Sequence, residues 1–163
     1  MLAQIVSKLR LLEAILATIA YATVAGLLIT DVVGREIFGI TFLGAQQMAV
    51  YGAILAGFLG LTLATSDNSH LRPGFMDFLL QRWESQVQRA GDALFALFFF
   101  LSAYIAWTFV AVSLENQDKA PVLYFVVWPL QLVIPYAFIS SGLKHLIFAI
   151  RPELKPAPHA GGH

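Results

Sequence analysis

Residues 93–114 of the chain read ALFALFFFLSAYIAWTFVAVSL, a run without a single Asp, Glu, Lys or Arg. A helix of roughly 20 apolar residues is long enough to cross the hydrocarbon core of a bilayer. Three further stretches lack charged residues in the same way, namely 14–30, 37–66 and 120–143. Segments of this length are too long for the core helices of so small a protein, and they predict four membrane spans.

The composition agrees with a membrane protein. Hydrophobic residues make up 58% of the 163-residue chain and charged residues 12%, against about 45–50% and 25% in soluble domains. Because lipid offers the backbone no hydrogen-bond partner, spans of this length must be helical. We therefore predict an all-α polytopic membrane protein. Residues 1–151 form one four-helix transmembrane domain, with spans at about 11–30, 42–65, 92–114 and 123–149, and residues 152–163 form a disordered cytoplasmic tail.

The distribution of Lys and Arg predicts the orientation of these spans. Eight of the ten lie near the N-terminus, between the second and third spans, or near the C-terminus, whereas Arg35 and Lys119 lie on the other side. Basic residues concentrate in cytoplasmic loops, so we expect both termini in the cytoplasm. Within the middle loop, apolar residues at 75–89 recur every three or four positions, which predicts a short amphipathic interfacial helix between the second and third spans.

Several classes of chemistry are excluded by what the chain lacks. Without cysteine there is no disulfide, iron–sulfur ligation or thiol chemistry, and a net charge of zero gives no excess of basic residues for nucleic acid. No ionisable residue is expected at the middle of a span. Glu13 is expected to snorkel to the cytoplasmic interface, and His145 to lie at that interface beside Lys144. We therefore predict no catalytic residue, cofactor or metal site, and no enzymatic activity.

Small residues at four-residue intervals predict where helices approach closely. One such stripe in the second span consists of Gly52, Ala56, Gly60 and Ala64, and another in the first span of Ala14, Thr18, Ala22, Gly26 and Thr30. The second span is accordingly expected to be the most tightly packed helix. The bulky residues of the third span, Phe99 among them, are expected to face lipid. In the fourth span Pro129 is expected to begin the helix and Pro135 to bend it.

Asp31 and Arg35 stand four residues apart at the outer end of the first span, so they share one side of a helix. An exposed ion pair at that spacing contributes only about 0.3–0.5 kcal/mol. So small an energy does not explain why the two residues are placed there. The alternative explanation is that they contact another subunit.

Several individually weak motifs occur along the chain in a fixed order: Asp31-x-x-x-Arg35, Gln46-Gln47, Gly57-Phe58-Leu59-Gly60, Asn68-Ser69-His70-Leu71-Arg72 with Asp77, Trp128-Pro129 and Ile134-Pro135. Together with four spans they resemble the small membrane subunit of TRAP transporters, the DctQ-like small permeases, over about residues 11–151. Family members often carry two acidic residues where this chain has Gln46 and Gln47.

The resemblance implies a tripartite secondary importer of the bacterial inner membrane. A periplasmic binding protein would deliver an organic acid to a large membrane subunit that moves it with sodium, and the small subunit would support the large one without catalysing a reaction. Our candidates for the interface between subunits are Asp31, Arg35, Gln47, Gly52, Ala56, Gly60 and His70.

Three other functions compete with this one at the level of sequence. The small subunit of a tripartite tricarboxylate carrier also has four spans. A haem-bearing anchor of a respiratory complex would need histidines within its spans, and only His145 comes near. A small dimeric exporter would need an acid embedded in the membrane, for which Glu13 is the candidate.

Overall fold

The computed structural model describes residues 2–66 and 84–154. Its helices are α1 (Leu2–Phe38), α2 (Ala45–Ser66), α3 (Glu84–Glu115), α4 (Trp128–Gln131) and α5 (Val133–Ile150), followed by a short 3-10 helix at Pro152–Leu154. α4 and α5 together make one span, so four segments of the described ranges are long and apolar enough to cross a membrane. The predicted all-α fold with four spans is confirmed.

The helices form a series in which α2 and α5 are the inner pair. The main contacts run from α1 to α2, from α2 to α5 and from α5 to α3. Each outer helix has one row of buried or half-buried residues spaced alternately four and three apart, which keeps one face of the helix towards its neighbour. On α1 these residues are Glu13, Ala17, Ala20, Val24, Leu27, Asp31 and Gly34, and on α3 they are Asp92, Ala96, Phe99, Ala103, Ala106, Val110 and Ser113.

The fourth span, not the second, is the most deeply packed of the four. In its most apolar window 44% of the residues are buried, against 28% for α2, so the prediction for the second span was wrong. The reason is that only part of the small-residue stripe of α2 packs closely against another helix. A Cβ on Gly52 would lie 2.6 Å from Val24 Cγ2, whereas a Cβ on Gly60 would meet nothing within 4 Å.

The fourth span is interrupted close to the proline that was expected to bend it. Pro129 lies in the first turn of α4, where its missing N–H costs nothing. Pro135 has no N–H to donate to the carbonyl of Gln131, and its ring crowds that carbonyl. α4 therefore ends at Gln131, and α5 begins after Leu132. Leu132 itself keeps helical backbone angles (φ −58°, ψ −22°), so the span continues through this point with its hydrogen bonding interrupted.

The two loops at the end opposite the termini pack on each other. The loop before α4 closes on itself through Ala120 N–H to Phe125 O (2.8 Å) and Val127 N–H to Asp118 O (3.0 Å). Leu123 then contacts Gly44, which has a φ of +91° just before α2 begins. The loop before α4 is thus held in shape by its own main-chain bonds, and its Leu123 side chain contacts the loop between α1 and α2.

Part of the predicted architecture lies outside the described residues. This applies to most of the interfacial helix, to His70 and Asp77, and to the tail beyond Leu154. The last residues of the predicted interfacial helix, 84–89, belong to the start of α3 and are continuous with the third span.

Candidate functional site: a buried polar layer

The half of the structure nearest the termini contains a fully buried ion pair. Lys144 Nζ on α5 lies 2.6 Å from Glu13 Oε2 on α1, and neither side chain is more than 1% exposed. The other oxygen, Glu13 Oε1, accepts hydrogen bonds from Ser140 Oγ (2.6 Å) and Tyr136 OH (3.2 Å). Lys144 Nζ also donates to the carbonyl of Thr62 on α2 at 2.9 Å. The pair therefore joins three helices.

The expectation that Glu13 snorkels to the interface was wrong. α1 begins at Leu2, so about three helical turns precede Glu13, and its side chain is directed at α5. Lys144, one of the eight basic residues assigned to the cytoplasmic side, is buried as well. Removing it from that count leaves seven basic residues against two, so the predicted orientation does not depend on it.

A second buried pair lies on the other side of α5. His145 Nδ1 is 3.0 Å from Asp92 Oδ1 on α3, and the imidazole is stacked with the rings of Phe95 and Phe99 at centroid distances of 5.2 and 5.5 Å. The prediction that His145 is an interfacial residue was wrong. The same contact buries Phe99, so the prediction that Phe99 faces lipid was also wrong, although its neighbour Phe98 is exposed.

Hydroxyl groups complete the layer between α2 and α5. Thr65 Oγ1 donates to Ser141 Oγ at 3.2 Å, and Ser66 Oγ donates to the carbonyl of Thr62 at 3.0 Å. Because Lys144 and His145 are adjacent on α5 and reach opposite neighbours, one turn of α5 connects to α1, α2 and α3. All four spans meet in this polar layer, which we define as Glu13, Thr62, Thr65, Asp92, Ser140, Ser141, Lys144 and His145.

The chemistry of the polar layer suits cohesion between helices. Glu13 and Lys144, 2.6 Å apart, compensate each other's charge inside the protein, and Asp92 Oδ1 lies within hydrogen-bonding distance of His145 Nδ1, at 3.0 Å. Among the described residues, no group of three or more His, Asp or Glu side chains is placed to hold a metal ion. A buried ion pair whose remaining oxygens and protons are also bonded can persist out of water, whereas a single unpaired charge there is very costly.

An apolar groove of about 540 Å³ lies beside the ion pair, between α1, α2 and α5. Tyr136, whose hydroxyl bonds Glu13, is one of its lining residues, and Gly52 lines it from α2. α1 and α5 therefore meet through the polar layer and stand apart along the groove.

The predicted pair of Asp31 and Arg35 is not formed. Asp31 lies on the face of α1 that packs against α2, where it is buried and accepts a 3.3 Å hydrogen bond from Gln46 Nε2. Arg35 is exposed and pairs with Glu36 at 3.5 Å. The idea of an exposed i,i+4 pair was wrong because one of the two residues faces the helix contact and the other faces outwards.

The remaining interface candidates are spread over α2. Ala56 is buried within the chain, Gln47 and Gly52 are half-buried, and Gly60 has open space where a Cβ would be. His70 lies outside the described residues. The structure does not bring these candidates together into one cluster.

These features define a polytopic helical membrane protein whose spans are joined by buried polar contacts within the protein. Residues 24–153, which are 130 of the 163, match the family profile described as tripartite ATP-independent periplasmic transporters, DctQ component. The chain belongs to this family and is a small membrane component of a TRAP transporter, as the resemblance indicated. A comparison with curated proteins and one with solved structures gave no match.

Proposed function

We propose that the protein supports the large membrane subunit of its transporter during sodium-coupled uptake of an organic acid, which a periplasmic binding protein delivers. The observation that carries the proposal is the polar layer. Its Glu13–Lys144 ion pair and its Asp92–His145 contact tie all four spans together at one level, which favours a rigid supporting role. Family membership supports the same role, because the family is one component of a tripartite system.

The alternatives from the sequence have less support. The family match favours a TRAP transporter over a tricarboxylate carrier. A haem anchor would need His145 as its histidine. However, the Nδ1 of His145 contacts Asp92, and phenyl rings stack on its imidazole. For an exporter, Glu13 was the candidate acid, and it is bonded to Lys144, Ser140 and Tyr136.

The supporting role predicts that this chain transports nothing by itself. Proteoliposomes that contain only this protein should take up radiolabelled dicarboxylate no faster than empty liposomes, with or without a sodium gradient. Proteoliposomes with the large subunit and the binding protein added should show uptake that depends on the gradient. Sodium-dependent uptake by the small chain alone would overturn the proposal.

The orientation is a further part of the proposal. Without Lys144, the seven-to-two distribution of the basic residues favours cytoplasmic termini. A reporter active only in the cytoplasm should give a signal when fused after Leu154 and none when fused after Glu115. A reporter active only in the periplasm should give the reverse result. If both reporters give the opposite pattern, the bundle is inverted.

Two of the interface candidates are accessible to another subunit. Arg35 projects from the outer end of α1, and Gly60 leaves space beside α2. We keep both as proposed contacts with the large subunit. Asp31 and Ala56 are buried within this chain, so any effect of theirs on assembly would act through the packing of α1 on α2.

A further inference from the structure

Helix α3 exposes two aromatic side chains that carry hydrogen-bond donors. Tyr104 is 70% exposed and Trp107 is 58% exposed. Within the described part of the chain, neither the Tyr104 hydroxyl nor the Trp107 indole N–H makes a hydrogen bond. Thr108 on the same helix differs, because its hydroxyl donates to the carbonyl of Ile105 at 2.7 Å. The two aromatic donors therefore require an acceptor from outside the chain.

Both donors lie at the depth of the hydrocarbon core. Arg89 and Glu115 stand near the two ends of the span Gln88–Glu115, so its middle is near residue 102. At 1.5 Å per residue, Tyr104 is about 3 Å and Trp107 about 8 Å from that middle, within the roughly 15 Å half-thickness of the core. Tyr and Trp usually place their polar tips at the headgroup level, which these two residues cannot easily reach.

The two donors share one flank of α3. Residues three apart on a helix are neighbours, whereas Ile105, directly after Tyr104, is turned about 100° away around the helix. Ile105 is also exposed and carries only carbon atoms in its side chain. α3 thus has one flank with donors and another that is purely apolar. Among the described side chains of the other outer helix, α1, Tyr21 is the one exposed aromatic residue with a hydrogen-bond donor.

Lipid tails have no acceptor to offer, and a donor left unsatisfied in hydrocarbon is costly. We infer that the flank of α3 carrying Tyr104 and Trp107 packs against a transmembrane helix of the large membrane subunit, which supplies acceptors for both groups. The inference rests on the proposed function, because it needs a partner inside the membrane. It adds which face of this chain makes the contact and which hydrogen-bond donors take part in it.

Site-specific photocrosslinking tests the contact in the assembled transporter. A benzophenone amino acid is placed at Tyr104, and at Ile105 as the matched control, with the large subunit co-expressed. Irradiation should join the large subunit to position 104 at least fivefold more efficiently than to position 105. A crosslink to a second copy of this chain, or labelling of lipid alone at position 104, would overturn the inference.

Removing only the donors tests their contribution. The variant Tyr104→Phe with Trp107→Phe keeps two aromatic rings and loses both donors. Hydrogen bonds within membranes are modest, so we expect about threefold to tenfold less large subunit recovered with this chain after dilution in mild detergent. Tyr124→Phe, which removes a hydroxyl from an exposed loop residue, should match the unaltered protein. Equal recovery for all three proteins would contradict the inference.

These results separate the inference from the proposed function. If the unaltered protein copurifies with the large subunit but position 104 labels only lipid, the inference fails and the supporting role stands. If the unaltered protein does not copurify with the large subunit, the proposed function itself fails.

Discussion

Replacing Lys144 with methionine should lower the free energy of unfolding by about 3–5 kcal/mol, because Glu13 is left buried with no opposite charge. The hydrogen bonds from Ser140 and Tyr136 remain, but they do not neutralise a carboxylate. The measurement is unfolding of the purified protein in mixed micelles, followed by circular dichroism. Lys119→Met, at an exposed residue of the outer loop, is the matched control and should change stability by less than about 0.5 kcal/mol.

A second substitution distinguishes loss of charge balance from loss of packing. Glu13→Gln keeps a polar group beside Ser140 and Tyr136, and combining it with Lys144→Met removes both charges together. Replacing both members of a buried pair is often close to neutral, so the double variant should recover most of the lost stability. It should also accumulate in cells if Lys144→Met alone does not. A double variant as unstable as Lys144→Met would show that the unbalanced charge of Glu13 does not cause the loss of stability.

Replacing Gly44 with alanine should destabilise the protein by about 2–5 kcal/mol, from two separate causes. Gly44 has a φ of +91°, and a positive φ costs a residue with a Cβ about 1–2 kcal/mol. The new Cβ would also lie 2.5 Å from Leu123 Cδ2, and overpacking of this kind typically costs about 1–3 kcal/mol. The measurement is the thermal unfolding midpoint in detergent.

Gly39 provides the matched control for this variant. It has a φ of +64° but nothing within 4 Å of where a Cβ would be, so Gly39→Ala should show only the backbone cost. Adding Leu123→Ala to Gly44→Ala should remove the collision and leave the backbone cost. If Gly44→Ala and Gly39→Ala have the same midpoint, the contact between the two outer loops does not contribute to stability.

The four-span fold could be predicted from the sequence because its cause is local. A run of residues without charges is visible in one dimension, and lipid leaves such a run no alternative to a helix. The interrupted hydrogen bonding near Pro135 has an equally local cause, the missing N–H of one residue. The relevant information lies within a few residues of each feature, so no knowledge of tertiary contacts was needed.

The polar layer could not be predicted in that way, because its pairs join residues far apart in the chain. Glu13 and Lys144 each lie near the charged end of a span, so the sequence alone places both at the interface. One local signal was present in the sequence. Glu13 lies four residues before Ala17 and eighteen before Asp31, so it falls in the same alternation of four- and three-residue steps as the other inward residues of α1.

Composition was also a poor guide to which face of a helix is buried. Phe98 and Phe99 are adjacent and identical, yet one is exposed and the other packs on His145. Gly52 and Gly60 belong to one stripe, yet of these two only Gly52 has a neighbour within 4 Å of the place where a Cβ would lie. In each case the deciding factor is the position of another helix, which a single sequence does not specify.

The ion pair between Glu13 and Lys144 also constrains how the protein is synthesised. The two residues are 131 positions apart, so at about 5–20 residues per second the ribosome needs about 7–26 s after adding Glu13 to reach Lys144. During that interval α1 carries an acid without its base, which opposes stable residence in lipid. The first helix should therefore remain near the insertion machinery, and become committed to the bilayer only when the last helix arrives.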